Sequence, residues 1–181
     1  MAKKKKTYIE IKGIKEVMDE LNKAWEQTKD KSIASLIRCS MLIREGTEKV
    51  SPKIPVDTGN MRASWFGIAT KGEDSFKGTF KGKAAGQMKA NHQMIKGEVK
   101  QAVKQEKKPM VAFGYTANYS LYVHEMDGKD GRIAADFTRK KKVGGKSHKR
   151  REGAGAKWLE SSMLRNKTEL LKIIQGHINL K

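Results

Sequence analysis

Several things are scarce in this chain of 181 residues, and each absence narrows what it can be. A single cysteine excludes an internal disulfide. No uncharged run is long enough for a secretory signal or a membrane span, which predicts a soluble, cytoplasmic product with no membrane partner. No internal repeat is visible, which argues against a solenoid or propeller. His92, His124, His148 and His177 show no metal-ligand spacing, so the sequence predicts neither a metal site nor a cofactor. Acidic residues are outnumbered, 20 against 39 Lys and Arg, and the net charge is +19.

The length suits one domain with a proper core and is too short for two. The charge is not spread evenly over that domain. Lys3 to Lys6 carry four positive charges. Residues 71–109 hold ten lysines against four acids, and residues 127–152 hold ten Lys/Arg against four acids. These three segments supply sixteen of the nineteen charges. The pattern predicts a single domain over 1–181, with a basic tail at 1–6 and two basic, flexible insertions at 71–109 and 127–152. Such segments attract phosphate backbones without reading sequence, or serve simply as solvated loops. The clusters Arg139, Lys140, Lys141, Lys142 and Lys149, Arg150, Arg151 are the candidate contacts with DNA or a partner.

The chain is organised around the stretch from Pro55 to Trp65. Pro55 fixes its own φ and biases Ile54 towards extended geometry, and Gly59 is free to take positive φ. Asp57 and Thr58 can each accept a backbone N–H one or two residues on, which predicts a self-supporting turn. Beyond it, Met61, Ala63 and Trp65 alternate with Arg62 and Ser64, the period of a half-buried strand. Three roles fit the turn. It is a plain helix-to-strand connection, or the catalytic loop of an aspartic protease, or an assembly motif. The protease role needs two Asp-Thr-Gly triplets, and only one is present, following Pro55 rather than an apolar strand.

Elsewhere the periodicity is readable. Residues 7–12 alternate as a short strand. From Ile14, apolar residues at Val17, Leu21, Trp25, Leu36, Cys39 and Ile43 lay a stripe along a helix ending near Gly46, about 45 Å long, with a weak point at Thr28–Ser32. Cys39 lies on that apolar side and reads as a buried, inert thiol. The main strand runs from Met61 to about Thr70, with Ser75–Lys81 as its hairpin partner. Residues 82–108 hold few aliphatics, and although Ile95, Val99 and Val103 could mark a weak strand or a partly formed helix, the preferred reading is an extended arm that orders on assembly. Met110–Tyr115 is a further strand, Asn118–Met126 a short helix or turn, and Ala156 onward a second amphipathic helix. The expected fold is α+β, an antiparallel sheet of about four strands packed by the long N-terminal helix and the C-terminal helix, with two long basic loops.

A second constellation follows in the chain. Asn118-Tyr119-Ser120-Leu121-Tyr122-Val123-His124-Glu125 precedes Gly155-Ala156-Lys157-Trp158-Leu159-Glu160. His124-Glu125 lacks the second histidine that a zinc-protease helix needs four residues on, because Gly128 stands there. Glu125 instead caps the last helix or pairs with Lys157. Trp65 and Trp158 read as core, and Arg62 as a contact with a neighbouring subunit.

Pro-Val-Asp-Thr-Gly-Asn-Met-Arg-Ala-Ser resembles the P-V-D-T-G-x-L-(R/K)-x-S segment of the neck and tail-completion proteins of tailed bacteriophages. The two later segments are similar to that family's Y-A-x-x-x-H-E and G-x-A-K-(F/Y/W)-L-E segments, in the same order. The resemblance covers about a third of the chain. It marks Pro55, Asp57, Thr58, Gly59, Arg62 and Ser64 as the turn motif, and Tyr119, His124, Glu125, Lys157 and Trp158 as motif contacts. It implies a structural virion protein, not an enzyme. Such a protein is made in the host bacterial cytoplasm and assembles as a homo-oligomeric ring in the head-to-tail neck. It meets connector or adaptor proteins on one side and tail-completion or tail-tube proteins on the other, around the DNA channel. The alternative from charge alone is a nucleic-acid-binding accessory protein without sequence specificity.

Overall fold

The computed structural model describes residues 14–56, 58–125, 141–143, 146–148 and 153–178. The basic tail at 1–6 and the expected strand at 7–12 lie outside them. Ile14–Lys49 form α1, a single helix of 36 residues, about 54 Å long at helical rise. It does not break at Thr28–Ser32. Thr28 Oγ1 donates to the Ala24 carbonyl at 2.8 Å, Ser32 Oγ to Thr28 at 2.8 Å and Ser35 Oγ to Lys31 at 2.9 Å. The hydroxyls are satisfied on the helix's own carbonyls and have no need to interrupt it. Nor does the helix stop at Gly46, which is a packing site: a Cβ there would lie 2.2 Å from Ser162 Oγ.

After the turn come α2 (Asn60–Ala63), β1 (Trp65–Ala69), β2 (Gly72–Glu73), α3 (Ala85–Gln105), β3 (Val111–Tyr115) and α4 (Ser120–Glu125). Then follow β4 (Lys141–Val143), β5 (Lys146–His148), α5 (Trp158–Arg165) and α6 (Lys167–Ile178). Met61 and Ala63 therefore sit in one helical turn, not in the strand that their alternation suggested. The Ala63 and Ser64 N–H groups bond back to the Gly59 and Asn60 carbonyls, both at 3.0 Å, a helical pattern that Gly59 permits with φ 85°. The expected single C-terminal helix is two, divided at Asn166.

The main sheet has three strands among the described residues, in the order β2-β1-β3 and antiparallel throughout, where about four were expected. β4 and β5 pair only with each other. The expected hairpin partner at Ser75–Lys81 is not a strand. β2 takes that place, pairing Ile68 with Glu73 and Ala69 with Gly72. Side chains hold the 75–81 segment in place of a ladder: buried Asp74 accepts the Trp65 indole N–H at 2.7 Å and the Phe76 N–H at 3.2 Å. Gly78 presses on the Ala63 backbone so closely that a Cβ would lie 2.0 Å from its carbonyl oxygen.

Residues 82–108, expected as an extended arm, contain α3 instead. Its inward stripe is narrow, spaced at Met88, His92, Ile95, Val99 and Val103, but sufficient for one-sided packing against β1. His92 fills a core position because Thr116 Oγ1 satisfies its Nδ1 at 2.8 Å, and burial pulls its pKa below the usual histidine value. α1 also packs along β1, where Gly67 leaves room for Ser40. α5 and α6 cover the C-terminal half of α1, where the Cys39 thiol is buried and its pKa is pushed up by desolvation. No described helix is long and apolar enough to cross a membrane.

Candidate functional site

The site is built where α1 ends. Ile54 is fully buried, and its N–H donates to the Thr47 carbonyl at 2.9 Å, so the chain leaving α1 folds straight back onto it. On its other side Lys53 donates to the Gly153 carbonyl at 2.7 Å and accepts from Gly155 at 3.2 Å. That bridge brings the start of the last motif beside the turn. Pro55 is buried, Thr58 is exposed, and Thr58 Oγ1 accepts the Asn60 N–H at 3.4 Å. Asp57 lies outside the described residues.

Arg62 was expected to face a neighbouring subunit. Within its own chain it pairs with Glu48 of α1 in a two-pronged arrangement, Nε to Oε1 at 2.8 Å and Nη2 to Oε2 at 2.7 Å. The Glu48 side chain is only 12 % exposed, which makes this pair a lock between helix and turn. Asn60 makes a second lock. Its amide donates to the Lys81 carbonyl at 2.9 Å and accepts the Lys81 N–H at 2.7 Å. Ser64, fully buried, joins the turn to the second constellation: its hydroxyl accepts the Ala117 N–H at 3.1 Å and its carbonyl the Thr116 N–H at 2.9 Å.

The second and third motif segments meet through His124. Its carbonyl accepts the Lys157 N–H at 2.8 Å, and its ring stands edge-on to Trp158 with centroids 4.7 Å apart. Lys157 adopts φ 55°, a left-handed conformation that swings the chain into α5. Glu125 forms an ion pair with Lys157 and accepts a hydrogen bond from His124 Nδ1 at 2.7 Å. The Lys157 hydrogen bond, then that of His124, holds the Glu125 carboxyl below the usual glutamate range, and Glu125 in turn raises Lys157. No side-chain hydrogen bond caps α5, so pairing and not capping is the role of Glu125.

Ile54, Met61, Ala117 and Trp158 form one buried cluster, with Tyr115, Val123 and Leu159 packed against it. Each of the three motif segments contributes to it. Tyr115 carries its hydroxyl inward to Thr47 Oγ1 at 2.9 Å, and burial raises its pKa well above the ordinary tyrosine value. Tyr119, just before α4, and Leu121 and Tyr122 of α4 face outward, Tyr119 at 38 % exposure and Leu121 and Tyr122 at about 70 %. Beside the turn an open cleft of about 250 Å³ is lined by Arg44, Arg62, Lys77 and Lys81, with the Arg44 guanidinium 3.6 Å above the Phe76 ring. Such a cleft suits an anionic group from a partner.

Among the described residues no group of three or more His, Cys, Asp and Glu is placed to hold a metal ion. Lys141 and Lys142 lie on the β4–β5 hairpin, opposite His148 and Ser147. Arg139, Lys140, Lys149, Arg150 and Arg151 lie outside the described residues. Glu48, Thr47, Asn60 and Asp74 carry the site's polar contacts. Spacing could not single them out, because each finds its main partner through the fold. Glu48 is fourteen residues from Arg62, and Asn60 is twenty-one from Lys81. No protein-family model, curated protein or solved structure matches this chain.

Proposed function

We propose that this chain is a structural virion protein that forms a ring in the head-to-tail neck of a tailed bacteriophage. In this reading it joins connector or adaptor proteins to tail-completion or tail-tube proteins around the DNA channel. The observation that carries the reading is the convergence of the three motif segments. Ile54 and Met61, then Ala117 and Val123, then Trp158 and Leu159 share one cluster although about a hundred residues separate the first from the last. Segments that resemble one family in order, and that also pack together, act as one unit.

In this reading the unit is a frame. Its buried side holds α1, the turn and α5 in fixed relation, and its outer side presents Tyr119, Leu121 and Tyr122 beside the exposed Glu125–Lys157 pair. An aromatic and aliphatic patch of this kind, rimmed by charge, suits a partner protein. The basic cleft at Arg44 and Arg62 and the lysines of the hairpin supply complementarity to acidic partner surfaces or to genomic DNA. Ordered docking of folded surfaces is the whole of the mechanism, with no bond made or broken.

The test is to locate the chain in purified particles by mass spectrometry and then to image the head-to-tail joint by electron microscopy. A ring at the neck is the expected result. Absence from the particles would overturn the reading and favour the nucleic-acid accessory protein, which would bind duplexes of any sequence with a steep salt dependence.

A further inference from the structure

α3 carries four lysines against one glutamate. At about 3.6 residues per turn, Lys89, Lys96, Lys100 and Lys104 fall within an arc of about 80°, and Glu98 falls on the opposite side. The row is about 22 Å long at helical rise. Pairing neutralises little of its charge. Among the described residues Lys96 pairs with Glu73 of β2 at 3.1 Å, and Lys89, Lys100 and Lys104, all exposed, have no acidic partner. Asp74 is buried, its carboxylate on the Trp65 indole and the Phe76 N–H. β1 and β3, the strands that α3 packs on, hold no charged residue.

The charge continues beyond the helix. The Lys96 hydrogen bond, then the nearby Lys100 and Lys77, hold the Glu73 carboxyl below the usual glutamate range, which puts Lys77 beside the row. Lys77, itself exposed, also lines the cleft of Arg44, Arg62 and Lys81. Arg62 is held by Glu48, but the buried Nε of Arg44 has no hydrogen-bond partner among the described residues. Row and cleft therefore form one basic band. Lysines without apolar anchors make a poor protein interface and effective neutralisers of phosphate. The row has no aromatic side chain on which single-stranded bases could stack, so a duplex backbone fits it best.

We propose that the α3 lysine row and the adjoining cleft bind the phosphate backbone of duplex DNA without reading its sequence. That this DNA is the genome in the channel rests on the neck reading; the row itself does not.

Fluorescence anisotropy of the full-length chain with a short random-sequence duplex, over a salt series, tests it. Lys89→Gln/Lys100→Gln/Lys104→Gln leaves the Lys96–Glu73 pair intact and keeps helix propensity nearly unchanged. Its logarithmic salt slope should be flatter than the parent's by about 2–3, and its affinity at low salt should fall at least about tenfold. Lys15→Gln/Lys23→Gln/Lys31→Gln removes as much charge from exposed positions of α1 and should change the slope by less than about 1. Both variants should keep the parent melting temperature. Equal flattening by the two would overturn the proposal in favour of net charge alone. An unchanged slope in the α3 variant, or no duplex binding by the parent, would also overturn it. Loss of polyglutamate binding with unchanged duplex binding would give the row to an acidic protein surface instead. A chain absent from virions whose α3 variant still loses slope would sink the neck reading and leave the row standing. A chain found in the neck whose α3 variant keeps the full slope would sink the row alone.

Discussion

The two halves of α1 share one helical stripe and meet different surroundings. In the C-terminal half the stripe is made of small or compact residues, among them Ile33, Ser35, Cys39, Ser40, Ile43 and Thr47, all buried. Helix approaches helix closely there, as Gly46 does to Ser162, and helix approaches sheet, as Ser40 does to Gly67. In the N-terminal half the stripe carries valine, methionine, leucine and tryptophan, all more than half exposed. The periodicity is the same in both. It reports that a helix face is apolar, and says nothing of which chain covers it.

The sharpest way to break this comparison is to truncate a tryptophan in each region. Trp158→Ala, in the motif cluster, should cost about 3–5 kcal/mol in urea unfolding of the full chain. Trp25→Ala should stay within about 0.5 kcal/mol for the dilute chain. Equal losses would mean that Trp25 is already packed. Glycines give a smaller contrast. Gly46→Ala forces a methyl group against Ser162 and should destabilise by about 1–3 kcal/mol, whereas Gly97→Ala, in open space on α3, should stabilise by up to about 1 kcal/mol through helix propensity.

Tyr115→Phe should cost about 1 kcal/mol near neutral pH through loss of the Thr47 hydrogen bond. Its pH dependence is more telling. Burial raises the folded pKa of Tyr115, so its contribution is complete below the ordinary tyrosine value of 10.0 and is lost as pH rises through the raised one. The phenylalanine variant should lack that alkaline loss of stability in a melting-temperature series. The smallest effect belongs to Glu125→Ala. The folded pKa of Glu125 is lowered by Lys157 and His124, so the pair's contribution is present above the ordinary glutamate range and is lost as pH falls through the lowered value. Wild type and variant should therefore differ slightly in melting temperature at neutral pH and converge in acid. No difference at neutral pH would remove Glu125 as a link between α4 and α5.

Much of the frame was legible in the sequence because the signals were local. Gly59 at positive φ, β3, α4, the buried Trp65 and Trp158 and the Glu125–Lys157 pair all follow from spacing, turn chemistry or charge. What was missed depended on partners far along the chain. An extended arm was preferred over a helix at α3 because His92 was not counted as core, and only Thr116, just after β3, makes it so. Met61 and Ala63 fit a strand period and a helical turn equally well over so few residues, and the i→i−4 bonds decide for the turn. The Arg62–Glu48 pair was not legible, because spacing does not connect residues fourteen apart at the end of a helix and in a turn. The strand expected at 75–81 failed for the same reason: Asp74, Arg44 and Asn60 hold that segment by side-chain contacts that no alternation pattern encodes.

The account's central claim is that Trp25 stands open on the helix face while Trp65 and Trp158 are closed within the core. Oxidation with N-bromosuccinimide, mapped by mass spectrometry on the full chain, tests it directly. Among the three tryptophans, only Trp25 should react in the folded chain. Oxidation of Trp65 or Trp158 as fast as Trp25 in the folded chain would contradict the claim.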